Sequence, residues 1–78
     1  MKINVKLFAT FRIGRDKIVS LDYYEGMTVN NIIDELGIKS EEIAIIIVGP
    51  NDGTPKKMLS FEVKPDMIVH LFPPVAGG

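Results

Sequence analysis

The residues best placed to do chemistry close the sequence: Phe72-Pro73-Pro74-Val75-Ala76-Gly77-Gly78. Pro73 and Pro74 favour an extended backbone and lack N–H donors, so a strand ending at Phe72 does not continue easily through them. Gly77 and Gly78 have no side chains to pin them to a core. The expectation is a tail that stands clear of the folded body and carries the α-carboxylate of Gly78 at its tip. At about 3.3 Å per extended residue, the six residues after Phe72 reach roughly 20 Å, deep enough for another protein's active site. The same residues also suit a plain frayed end. At an average glycine usage of about 7%, a Gly-Gly terminus arises by chance in about one chain in 200, so the tail alone does not decide between the two.

Other candidate groups are weaker. His70 is the only histidine, with no metal-ligand spacing around it, which leaves it a surface or docking role. Asp34-Glu35 and Glu41-Glu42 suit solvated faces better than an acid–base pair. Gly49-Pro50-Asn51-Asp52-Gly53 has glycines but neither the spacing nor the lysine of a phosphate-binding loop. Arg12, Arg15 and Lys17 are expected to solubilise a hairpin rather than to orient an acidic partner. There is no cysteine, and hence no disulfide, thiolate metal site or cysteine nucleophile. Nine basic and ten acidic residues give a net charge of −1, which argues against nucleic acid. The longest apolar run, Ile43 to Val48, has six residues, far short of a membrane span. Met1-Lys2 leads directly into a strand pattern, so the expected location is cytoplasmic. No metal and no intrinsically bound cofactor is expected.

The elements that must position the tail follow from hydropathy. The 78 residues allow one domain with a small core, and 46% hydrophobic residues suffice to form it. Ile3, Val5, Leu7 and Ala9 alternate with Lys2, Asn4, Lys6, Phe8 and Thr10, the period of a half-buried strand whose polar face Phe8 interrupts. Phe11 to Asp16 is expected to connect a hairpin, with Lys17 to Tyr23 as its second strand. Thr28 suits a helix N-cap and Gly37 a C-terminal stop. Between them Val29, Ile32, Ile33 and Leu36 form a stripe that needs a sheet to pack on. Ile43 to Val48 is β-branched on both faces and is expected to be a well-covered strand. Gly49 to Pro55 is expected as an exposed loop, Met58 to Val63 as a weak strand, and Met67 to Phe72 as the last strand. One helix crossing one face of a mixed sheet of four to five strands is an α+β arrangement. The first and last strands are then expected side by side in the middle. The domain would span residues 1–72, with 73–78 as its tail.

This element order resembles the ubiquitin-like β-grasp fold. The ends of the chain resemble the MoaD/ThiS group of sulfur carriers, and most closely the small subunit of molybdopterin synthase. The opening likeness is Val5-Lys6-Leu7-Phe8-Ala9 followed by Arg12; the closing one is Val69-His70-Leu71-Phe72-Pro73-Pro74-Val75-Ala76-Gly77-Gly78. The Phe-Pro-Pro run favours the molybdopterin branch over the thiamin-type carrier. Two stretches depart from the family pattern: Gly49 to Pro55 replaces a tight Asn-Gly turn, and Lys64-Pro65-Asp66-Met67 replaces a Gly-Asp turn.

The resemblance implies a reaction cycle. An adenylating enzyme of the ubiquitin-activating type would use ATP and magnesium to join Gly78 to AMP, because a free carboxylate is a poor acyl donor. Sulfur from a donor system would displace AMP and leave a thiocarboxylate. The large subunit of molybdopterin synthase, in a heterotetramer, would then pass that sulfur to a pterin. Gly77, Ala76, Val75, Pro74 and Pro73 would thread the partner's channel, while Phe8, Met58, His70 and Phe72 would form the docking patch beside the tail. Three alternatives stay open at this point: a thiamin-type carrier, a ubiquitin-like modifier conjugated to lysines through Gly78, and a β-grasp interaction module with an inert tail.

Overall fold

The computed structural model describes residues 1–74. Five strands, β1 (Lys2–Leu7), β2 (Ile18–Asp22), β3 (Ile45–Val48), β4 (Asn51–Gly53) and β5 (Ile68–Phe72), form one mixed sheet in the order β2-β1-β5-β3-β4. The hairpin β1–β2 is antiparallel, with Val5 facing Val19. β5 lies parallel to β1, with Val5 facing Val69 and Leu7 facing Leu71. On its other side β5 pairs antiparallel with β3. The first and last strands are thus neighbours at the centre, as the sequence suggests. The fold is α+β.

Helix α1 (Val29–Leu36) covers one face of the sheet, and both of its ends are built from local sequence. Thr28 Oγ1 accepts the Asn31 N–H, and Asn31 Oδ1 accepts the Thr28 N–H at 2.9 Å, a reciprocal cap. Gly37 takes the left-handed conformation at φ +73°, which only glycine adopts without strain. It lets the Ile38 N–H reach back to the Ile33 carbonyl at 2.9 Å. Ile32 and Ile33 then pack with Ile3, Val5, Leu7, Ile46, Val48, Val69 and Leu71 in a core whose buried residues are all apolar among those described. None of the described helices is long and apolar enough to cross a membrane.

Three stretches differ from the expectations. The connection after β1 is a 3-10 turn, Ala9–Arg12, that starts from Ala9 at φ +51° and drops Phe11 into the core. Left-handed backbone costs a residue with a Cβ about 1–2 kcal/mol, which burial of the Phe11 ring offsets.

The Gly49–Pro55 stretch is no loop. Val48 faces Asn51 across a two-residue turn, Gly49-Pro50, with Gly49 at φ +60°. The tight turn is therefore kept with different residues, and Asn51–Gly53 is an edge strand.

Met58 to Val63 is no strand of the sheet. A short helix, α2 (Pro55–Met58), opens on Pro55, where a missing N–H costs nothing. Residues 59–63 then run past the start of α1. The Val29 N–H donates to the Phe61 carbonyl at 3.1 Å and the Asn30 N–H to the Leu59 carbonyl at 3.0 Å. These bonds satisfy helix donors that would otherwise be orphaned, so the segment's hydrogen bonds go to α1.

Candidate functional site

The last backbone bond of the sheet's central strand is the Ala44 N–H donating to the Phe72 carbonyl at 2.8 Å. Pro73 has no N–H to extend the ladder, and the chain leaves the sheet there, with Pro73 half-buried and Pro74 exposed. Because β5 is parallel to β1, this exit lies at the same end of the molecule as Phe8, which follows β1.

Alternation puts Val69 and Leu71 into the core and His70 and Phe72 onto the opposite face, which α1 does not cover. There the Phe8 and Phe72 rings stack, with centroids 4.2 Å apart and planes 14° from parallel. His70 lies 6.1 Å from Phe8, and the Lys6 ammonium is 5.6 Å from the Phe8 centroid. Phe8 and Phe72 join Ala9, Ala44, Ile45, Ile47 and Pro73 around a shallow groove of about 380 Å³ next to the exit. An apolar concavity of this size accepts one or two large side chains, and aromatic residues in such a place mark partner surfaces.

The structure thus gathers Phe8, His70, Phe72 and Pro73 in one place, with Pro74 just beyond. Met58 is a correction. It lies in the core, 3% exposed, because helical rather than alternating geometry turns its side chain inward from α2. The tail positions Val75, Ala76, Gly77 and Gly78 lie outside the described residues.

Two members of the patch escape a reading of the sequence alone. β3 is apolar at every position, which suggested a strand covered on both sides. In fact Ile46 and Val48 are buried, while Ile45 is 40% exposed and Ile47 half-buried on the open face. The signal was present in the register: Ile45 faces Phe72 and Ile47 faces His70.

The arginines of the β1–β2 connection have structural roles. Arg12 Nε donates to the Leu7 carbonyl at 3.1 Å. Arg15 donates to the Leu36 carbonyl at 3.2 Å and the Phe11 carbonyl at 3.4 Å, placing a cation at the C-terminal end of α1, where the helix dipole favours it. Among the described residues no three His, Cys, Asp or Glu side chains gather to hold a metal ion.

Together these features define a ubiquitin-like β-grasp protein with an aromatic patch at the exit of its C-terminal segment. No protein-family model and no curated protein sequence matches the chain. Solved structures do. SAMP1 from Haloferax volcanii superposes with a TM-score of 0.75 at 22% identity, over 100% of both chains. A protein from Pyrococcus furiosus described as molybdopterin converting factor subunit 1 gives 0.71 at 25% identity, over 96% of this chain and 99% of its own. Urm1 from Trypanosoma brucei gives 0.69 at 13% identity, over 99% and 95%. These likenesses establish the β-grasp fold.

Proposed function

We propose that the chain is a sulfur carrier that acts as the small subunit of a molybdopterin synthase. The observation that carries this reading is the stacked Phe8–Phe72 pair beside Pro73, where the central strand hands the chain over to the Pro74–Gly78 segment. In this reading the stacked pair serves for docking at the base of the segment whose last residue reacts. The similarity to the Pyrococcus furiosus molybdopterin converting factor subunit supports the same reading.

In this proposal an adenylating enzyme docks on the open face and receives the tail. ATP and magnesium, bound by that enzyme, activate the Gly78 carboxylate as an acyl adenylate with release of pyrophosphate. A persulfide from the donor system attacks the acyl carbon and expels AMP. Reductive cleavage of the resulting acyl disulfide by a thiol leaves the thiocarboxylate. The large synthase subunit then takes the sulfur onto a pterin, and water restores the carboxylate. Glycine at 77 and 78 leaves a narrow channel unobstructed, where an added side chain would overpack it.

The test is reconstitution with the host's adenylating enzyme. Mixing the full chain with that enzyme, ATP and magnesium should give ATP–pyrophosphate exchange, and adding the sulfur donor should give a thiocarboxylate detectable by selective labelling. Gly77→Val should fold normally yet lose exchange by ~100-fold, an expectation set by steric exclusion at the channel. Lysine conjugates without a thiocarboxylate would instead favour the ubiquitin-like modifier. Normal exchange by Gly77→Val would remove the narrow channel from the proposal.

A further inference from the structure

The open face has a polarity that its apolar patch does not account for. One row of facing positions crosses four strands: Lys6 on β1, His70 on β5, Ile47 on β3 and Asp52 on β4. The row runs cation, imidazole, apolar, carboxylate, over three strand spacings or about 14 Å at about 4.8 Å each. The Lys6 ammonium makes no ion pair among the described residues, whereas Lys2 pairs with Asp22 at the far end of the same face. His70 Nδ1 is shielded from solvent and meets no hydrogen-bond partner among the described residues.

A purely apolar surface laid over this patch would strip water from Lys6 and from the part of His70 still exposed. It would leave the ammonium without an ion-pair partner, and an unpaired charge is costly once buried. A carboxylate on the incoming surface meets the ammonium with a charge-assisted bond.

We propose that the adenylating enzyme docks on this face through an apolar surface interrupted by one carboxylate, seated over Lys6 beside His70. The inference rests on the functional reading above, but concerns the partner that carrier and modifier share. Asp52, on the far side of Ile47, sets the orientation: turned end for end, the partner's carboxylate would meet a like charge.

The test is titration of the host's purified adenylating enzyme with the full chain at low and high salt. Lys6→Glu is expected to weaken binding at least ~10-fold and Lys6→Met ~3-fold with a flatter salt dependence, while Asp52→Ala stays within ~2-fold. Lys6→Met keeps the question answerable should Lys6→Glu fold poorly. Wild-type binding matched by Lys6→Glu, or an unchanged salt dependence in Lys6→Met, overturns the carboxylate and leaves the carrier reading standing. A wild-type chain that does not bind the enzyme overturns both.

Discussion

The two faces of the sheet are made by the same strands and do opposite things. On the covered face, Ile3, Val5, Leu7, Ile46, Val48, Val69 and Leu71 are buried against α1 and its neighbours. On the open face, at the alternate positions, lie Lys6, Ile45, Ile47, His70 and Phe72, with Phe8 stacked on Phe72. The first set is apolar because the fold needs it. The second carries four large apolar residues without that need, since a sheet can leave one face to water. The half-buried Phe8 and Phe72 rings, with Ile45 exposed beside them, form an apolar groove at the end of β5 that the fold itself does not require.

That division is open to direct attack. Leu71 and Phe72 are adjacent on β5 but belong to different faces. Leu71→Ala should cost about 2–5 kcal/mol in urea unfolding, the range for an emptied core site, with partner affinity unchanged while the protein stays folded. Phe72→Ala should do the reverse, losing only about 0.5–1.5 kcal/mol of stability with the Phe8 stack but weakening docking about 10-fold or more by calorimetry. A Phe72 variant that binds normally would break the comparison. Arg15→Ala should lower stability by about 1–2 kcal/mol through loss of its bonds to the Leu36 and Phe11 carbonyls, leaving docking untouched.

The smallest effect is electrostatic. Hydrogen bonding to Lys2, and then the charge of Lys2, hold the Asp22 carboxyl below its ordinary value on the outer strand of the open face. A carboxyl lowered in the folded state adds stability above its unfolded pKa, about 4, and that contribution is lost as pH falls through the folded value. Wild type and Asp22→Asn should therefore differ slightly in urea midpoint at neutral pH and converge once pH falls below the folded value. Both groups are exposed, so the difference should also shrink with salt.

Much of this architecture was legible in the sequence because its signals were local. The β1–β2 alternation, Thr28 and Gly37 bracketing α1, and the Val69-His70-Leu71-Phe72 strand each state their own geometry within a few residues. Residues 49–63 were misread because their structure answers to distant partners. Gly49-Pro50 turns tightly only because Asn51 has β3 to pair with, and Leu59 and Phe61 give their carbonyls to the first turn of α1. The same stretch held Met58, expected at the start of a strand and in the docking patch, which instead ends a helix and is buried. Ile45 and Ile47 were missed for the opposite reason, since a run that is apolar at every position does not say which half faces out until its neighbour is known.

On the proposed function, Gly78 carries sulfur. The most direct measurement is the mass of the C-terminal fragment of the protein purified from its native host under reducing, non-hydrolysing conditions, paired with selective thiocarboxylate labelling. Exchange of one carboxylate oxygen for sulfur adds about 16 Da, as does oxidation of any methionine, so the mass must be localised to the terminal fragment. The account predicts a labelled, sulfur-bearing Gly78. An unmodified Gly78 carboxylate in cells actively making the cofactor would contradict it.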